Sequence, residues 1–449
     1  MRLLIPSAII ELTGEIQQCL LLAKQQGFAI DHIELGVSPT RTLQLISSAK
    51  TVVFETDLIH NDSRHLGAYD FALRYHHSLD HHSLGLTDVS TYLGSGRNAK
   101  TLLINLQGEQ GEVFDVWRHP LADETRALRY SLLPNYPQNN SVESNYRHLA
   151  WVATLSALDF PIEDCLTLAR AMLNVSRETW VSDFALFPTP VLRLDELGIL
   201  PSHNIEALTK AFPRISAQQL GLYPVVDDVS WIEKLLPLGI KTVQLRIKDP
   251  NQTDLEQQIV RAIQLGRDYG AQVYINDYWQ LAIQHQAYGV HLGQEDLQVA
   301  DLASLANAGI ALGLSTHGYY ELLRIVQLQP SYIALGHIFP TTTKQMPSLP
   351  QGLVRLKLYQ QLIDTMPYDD SITGVPTVAI GGIDQTNAAT VWRCGVSSLA
   401  VVRAITLAKD VKAAIDHFKQ VMISNAALAR FDSVSTQCLE PTSEANHVE

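Results

Sequence analysis

Downstream of about residue 220, short and nearly continuous apolar runs alternate with stretches of helical period. The runs cover 221–226, 242–246, 272–276, 289–292, 311–315, 332–336, 377–381 and 398–403. Strands that are apolar along both faces are buried on both faces, as in a parallel sheet covered by helices. Residues 255–269 carry a helical pattern between the second and third runs, and 410–422 follow the last. Eight β/α units over 218–430 predict an α/β fold of the TIM (β/α)8 barrel type. The rival is a doubly wound open sheet. The count of eight, and the lack of a G-x-G-x-x-G stretch after the first run, favour the barrel.

Upstream, the pattern is less regular. Residues 51–54 and 101–105 read as strands, and 145–159 and 161–174 as helices, which predicts a separate α/β domain over 1–200. Residues 201–217 read as a linker. The end of the chain, 431–449, closes with the apolar-poor STQCLEPTSEANHVE and is expected to be a disordered tail.

Composition narrows the class. Of 449 residues, 46% are hydrophobic and 18% charged, which excludes a wholly disordered chain. The net charge of −13, with no Lys/Arg run, argues against a nucleic-acid partner. No apolar stretch reaches the length of a membrane span, and the start lacks a signal-peptide core. Cys19, Cys165, Cys394 and Cys438 lie far apart without metal-ligand spacing, as expected of reduced thiols in a cytoplasmic protein. Assembly as a homo-oligomer stays open.

In a barrel, chemistry collects at the C-terminal ends of the strands. The second run ends in Gln244-Leu245-Arg246-Ile247-Lys248, and alternation places Gln244, Arg246 and Lys248 on one face. Two cations and an amide suit a phosphate or diphosphate, although salt bridges at a solvated strand end would read the same. Asn276-Asp277 closes the third run and Gln294-Glu295-Asp296 follows the fourth. Asp277 and Asp296 together suggest Mg²⁺, while Asp296 alone would suit a helix N-cap. Ser315-Thr316-His317 ends the fifth run without an identifiable catalytic partner. Thr341-Thr342-Thr343-Lys344 after the sixth would make an oxyanion cradle, although a single Lys is also often just a solvated surface charge. Gly381-Gly382 and Val402-Arg403 end the seventh and eighth, where barrels commonly hold phosphate, although Gly381-Gly382 would also suit a tight turn. From the residues alone, the expectation is a Mg²⁺-dependent transfer joining two phosphorylated small molecules, or an isomerase acting on one.

The motifs VQLRIK (243–248), YIND (274–277), GVHLGQED (289–296), GLSTH (313–317), YIALGHIFPTTTKQMPS (332–348), PTVAIGGI (376–383) and SLAVVRAI (398–405) resemble those of thiamine-phosphate synthases, in order and spacing. The resemblance implies coupling of 4-amino-2-methyl-5-hydroxymethylpyrimidine diphosphate to a thiazole phosphate, giving thiamine phosphate and pyrophosphate. It implies that Gln244, Leu245, Arg246, Ile247, Lys248, Asn276, Ser315 and Lys344 bind the pyrimidine diphosphate. Arg246, Lys248 and Lys344 would assist its departure. Thr341, Thr342, Thr343, Gly381, Gly382, Val402 and Arg403 would bind the thiazole phosphate, and Asp277 and Asp296 would hold Mg²⁺. Arg403 stands where the family often has serine. The related thiazole tautomerases share the fold, but an isomerase would not need the diphosphate-binding set.

Residues 100–180 resemble the C-terminal part of hydroxymethylpyrimidine phosphate kinases, which have a ribokinase-like fold. The carriers are KTLLINLQGEQGEVFDVW and ATLSALDFPIEDCLTLARAMLN. Where those kinases carry a glycine-rich anion loop, this chain reads NYRHLAWVATLS (145–156). The expectation is a domain without kinase activity, serving regulation or assembly; the alternative is a bifunctional chain. Six histidines, His60, His65, His76, His77, His81 and His82, crowd one segment without the spacing of a metal motif.

Overall fold

The computed structural model describes residues 1–59, 68–76, 84–96, 98–119, 122, 124–131, 141–200, 208–341, 349–369 and 372–436. The chain divides into two compact units. One comprises Met1–Thr209 with Gly318–Gln329 and Gln361–Gly374; the other comprises Lys210–His317, Pro330–Gln360 and Val375–Glu449.

The first unit is built on a mixed nine-stranded sheet. Its strands are β1 (Arg2–Pro6), β2 (Glu34–Ser38), β3 (Leu43–Ile46), β4 (Thr51–Thr56), β5 (Phe71–Tyr75), β6 (Thr101–Gln107), β7 (Glu112–Arg118), β8 (Thr125–Ser131) and β9 (Thr189–Pro190), in the order β2-β1-β3-β4-β5-β6-β7-β8-β9. Helices Leu12–Gln25, Val142–Ala157 and Ile162–Met172 belong to the same unit. The helix Val142–Ala157 is capped by Ser141, whose side chain accepts from Ser144 N–H. The stretch 145–156 is therefore helix interior, in which Asn145, His148, Leu149 and Trp151 are buried. Its bulky side chains serve packing inside this unit, and any loop ahead of the helix falls in 132–140, outside the described residues.

The second unit is a closed barrel of eight parallel strands. They are β10 (Leu222–Val226), β11 (Thr242–Leu245), β12 (Gln272–Asn276), β13 (Gly289–Leu292), β14 (Ala311–Thr316), β15 (Tyr332–Gly336), β16 (Thr377–Ile380) and β17 (Ser398–Val401). β10 pairs with β17 to close the ring. Tyr223, Tyr274 and Tyr332 fill its interior with Val225, Ala311, Ala334, Val378 and Ala400. Rings this large fit because facing positions are small. A Cβ on Gly313 would sit 2.1 Å from the Tyr332 ring, and one on Gly289 would sit 2.4 Å from the Tyr274 ring. Tyr274 and Tyr332 then meet edge to face, 5.1 Å between centroids at 87°.

Two boundaries differ from the sequence expectation. Residues 208–217, the described part of the expected linker 201–217, contribute to the barrel, since Phe212 is buried and Ile215 belongs to the barrel's core cluster with Leu220. Ser216 and Gln219 form a capping box that fixes the short helix Ala217–Leu220. At the other end, the last helix runs Val411–Thr436 and passes the expected start of the tail at 431. The run AALAR within it consists of strong helix formers. Among the described residues, no helix is long and apolar enough to cross a membrane.

Candidate active site

The C-terminal ends of the barrel strands open on a cavity of about 840 Å³. It lies wholly within the second unit. Gln244, Arg246 and Lys248 all line it, as strand alternation requires. Leu245 and Ile247 alternate with them and are buried at 1% and 3% exposure, outside the lining. Any contact these two make with a ligand is through the backbone.

Gln244 Nε2 donates to Asn276 Oδ1 at 2.9 Å. With those amide orientations, Gln244 keeps an acceptor oxygen and Asn276 keeps a donor N–H, side by side at two strand ends. Asp277 follows with φ +65°, a left-handed conformation uncommon for a residue bearing a side chain. Its N–H donates to the His291 carbonyl at 3.0 Å, which holds the turn. Asp296 also lines the cavity, and one of its oxygens accepts from Gly293 N–H at 3.0 Å. The helix-capping alternative for Asp296 fails, because helix Leu302–Asn307 is capped by Asp301.

Two carboxylates facing one cavity beside Arg246 and Lys248 fit Mg²⁺, which takes few protein ligands and completes its shell with water and phosphate. Among the described residues no group of three or more His, Cys, Asp or Glu is arranged to hold a metal by itself. The donor set thus suits an ion that shares its shell with a phosphorylated ligand.

Across the cavity, Gly381 and Gly382 adopt φ +104° and +67°. A Cβ on either would fall 2.5 Å from His337 or 2.7 Å from Phe339, so the pair is also required by packing. Among the described residues, the N–H groups of Gly382 and Ile383 have no acceptor. Val402 packs its side chain against the barrel core, its carbonyl accepts from Ile405 and Thr406 N–H, and Arg403 opens the one-turn helix Arg403–Thr406. Thr341 lines the cavity, while Thr342, Thr343 and Lys344 lie outside the described residues.

The sequence reasoning missed Asp227, His291 and His337, which line the same cavity. His337 is buried, its Nδ1 has no partner among the described residues, and burial, with His317 nearby, lowers its pKa from the ordinary 6.5. His291 supplies the partner that Ser315 appeared to lack. Its Nε2 lies 2.8 Å from Ser315 Oγ. The available signal was a polar side chain inside the otherwise apolar strand GVHL. Of the histidine-rich segment, only His76 lies among the described residues.

The family model for thiamine monophosphate synthase matches residues 222–405. A thiamine-phosphate synthase of Yersinia pestis (strain Pestoides F) is 57% identical over 202 residues, covering 45% of this chain and 89% of that protein. One from Serratia proteamaculans (strain 568) is 54% identical over 215 residues, covering 48% and 97%. The chain belongs to the thiamine-phosphate synthase family. Its C-terminal half is a transferase of thiamine biosynthesis that makes thiamine phosphate. Among solved structures, the thiamine phosphate pyrophosphorylase of Pyrococcus furiosus is 27% identical with a TM-score of 0.40, covering 46% of this chain and 98% of that one.

Proposed function

We propose that the pyrimidine diphosphate and the thiazole phosphate meet in the barrel cavity, each on its own side. The observation that carries this reading is the division of the lining. Amides, cations and carboxylates stand at the ends of β11–β13, and glycine backbone with Arg403 at the ends of β16 and β17. Gln244 Oε1 and Asn276 Nδ2 complement the amino group and ring nitrogen of an aminopyrimidine. Arg246 and Lys248 take the diphosphate, joined by Lys344, which follows β15 in sequence. Thr341, Thr342 and Thr343, the Gly381-Gly382 turn and Val402-Arg403 take the thiazole phosphate.

Bond breaking at the pyrimidine's exocyclic carbon develops positive charge that the electron-rich ring stabilises. The protein's task is then to neutralise the departing diphosphate, which Arg246, Lys248 and Lys344 do. Bound by Asp277 and Asp296, Mg²⁺ would add charge neutralisation at that group. The thiazole nitrogen is already nucleophilic, so no general base is required. In the full chain with Mg²⁺, the test compares Arg246→Ala with Arg403→Ala. The first should raise KM for the pyrimidine diphosphate and the second KM for the thiazole phosphate, each by about tenfold. A shift in the opposite substrate from either variant overturns the division.

For residues 1–200 we propose a degenerate ribokinase-like domain without kinase activity. Supporting this, the stretch 145–156 is a packed helix rather than a glycine-lined loop. Phosphoryl transfer needs a cradle of donors around the transferred group. Incubation with ATP and hydroxymethylpyrimidine phosphate should give no diphosphate product above background. Turnover abolished by substitutions in 141–156 would make the chain bifunctional.

A further inference from the structure

Four side chains in the barrel form a single file of hydrogen bonds that ends at the cavity. Tyr223 Oη lies 2.9 Å from Tyr332 Oη. Tyr332 Oη lies 2.8 Å from His291 Nδ1, and His291 Nε2 lies 2.8 Å from Ser315 Oγ. Tyr223 and Tyr332 are buried at 1% and 0% exposure, while His291 and Ser315 both line the cavity. Gln294 Nε2 donates to the Ser315 carbonyl at 2.7 Å, which fixes that residue's backbone.

The file has a direction. Among the described residues, the Tyr223 hydroxyl has one hydrogen-bonding neighbour, Tyr332. A buried donor without an acceptor costs more than a spare lone pair. Tyr223 therefore donates to Tyr332, and Tyr332 must donate onward to His291 Nδ1. The imidazole is then the Nε2–H tautomer, and it donates to Ser315 Oγ. Burial raises the pKa of both phenols well above the ordinary tyrosine value, so both hydroxyl protons stay in place. With Nε2 already protonated, His291 cannot take the serine proton. The Ser315–His291 pair is thus not an activated nucleophile, despite its spacing. Ser315 accepts from His291 and keeps its own hydrogen for an acceptor in the cavity.

We propose that His291, oriented by Tyr332, is a positioning residue that makes Ser315 an obligatory hydrogen-bond donor to the leaving diphosphate. This rests on the reading of Ser315 as a contact of the pyrimidine diphosphate. A donor fixed before the reaction stabilises charge that grows as the C–O bond breaks, so it acts on turnover more than on substrate affinity.

A double-mutant cycle in the full chain, with both phosphorylated substrates and saturating Mg²⁺, tests the proposal. Ser315→Ala should lower kcat by about 10²-fold, the usual loss on removing one such donor. His291→Ala should lower kcat by about tenfold or more, with KM for the pyrimidine diphosphate within about threefold of wild type. In the Ser315→Ala background, His291→Ala should cost less than about threefold more, because its effect runs through the hydroxyl already removed. His291→Gln, which can still donate to Ser315 Oγ, should recover part of the loss. Tyr332→Phe keeps the ring and breaks the file one step earlier; it carries the same cycle if His291→Ala does not fold. Losses that multiply in the double variant overturn the proposal and leave Ser315 as a ligand contact. Wild-type turnover in Ser315→Ala overturns the reading of Ser315 itself, and the positioning role with it.

Discussion

The two units carry similar charged residues and hold them in opposite ways. In the first unit, Arg170 and Asp115 pair at 2.8 Å with side chains 1% and 0% exposed. Asp115 also accepts from Asn105 N–H at 3.0 Å and from Tyr130 Oη at 3.1 Å. Asn105 Oδ1 accepts from Arg170 at 3.0 Å, and the guanidinium lies 4.1 Å from the Tyr130 ring centroid. In the barrel, Arg246, Lys248, Asp277 and Asp296 instead line a cavity. A charge already satisfied inside the protein has little left to offer a ligand. A charge held at a cavity wall does. The same residue types therefore stabilise the fold in one unit and face a cavity in the other.

The sharpest way to break this contrast is to remove a member of the sealed cluster. Asp115→Ala leaves Arg170 charged, buried and without its carboxylate. It should destabilise the chain by about 3–5 kcal/mol, as losing one partner of a buried pair does. Chemical denaturation reads the loss. Turnover per folded molecule should stay within about threefold of wild type, because the cluster takes no part in the barrel's chemistry. A stability loss below about 1 kcal/mol would show that the cluster is not sealed.

The corresponding change in the cavity should do the reverse. Asp277→Asn and Asp296→Asn keep shape and remove charge. Each should lower turnover by about 10²-fold at limiting Mg²⁺, or about 2.7 kcal/mol in the barrier, with Tm nearly unchanged. Full turnover in either variant at limiting Mg²⁺ would remove that carboxylate from the metal site. For Asp277, φ +65° adds a condition. Asparagine tolerates the left-handed region, so Asn tests the charge without adding backbone strain.

What could be read in the sequence differs between the units for a physical reason. Strands buried on both faces leave a continuous apolar signature, so β10–β17 stand out in the chain, and the polar residues ending them are easy to pick. Asp277 and Asp296 were legible for that reason. His291 was not, because its role depends on Tyr332 and Ser315 on neighbouring strands, and no spacing along the chain encodes that. The first unit hid more. Its sheet mixes parallel and antiparallel pairs, and β9 is two residues long. Its central ion pair joins residues 55 apart in sequence. The helix expected over 145–159 lies at Val142–Ala157, and local composition did not mark Ser141 as its cap.

The smallest expected effect sharpens the contrast through pH. His148 lies beside the sealed cluster, with Nδ1 3.0 Å from Tyr75 Oη. Burial, with a further contribution from Arg170, holds its pKa well below the ordinary histidine value of 6.5. Above that value the imidazole is neutral in both the folded and unfolded states and contributes nothing to pH dependence. Below it the unfolded chain takes up a proton that the folded chain refuses, so stability falls as pH drops, by at most about 1.4 kcal/mol per pH unit for one proton. The loss levels off only below the folded value. His148→Gln removes this response while keeping a polar partner for Tyr75. The stability difference between wild type and variant should be flat above about pH 7.5 and should shift against wild type on acidification. His337 in the cavity also has a lowered pKa, but it is common to both proteins and cancels in the difference. A difference that is flat from pH 8 to pH 5 would mean that His148 is protonated equally in the folded and unfolded chain, and that its site is open to water like the cavity.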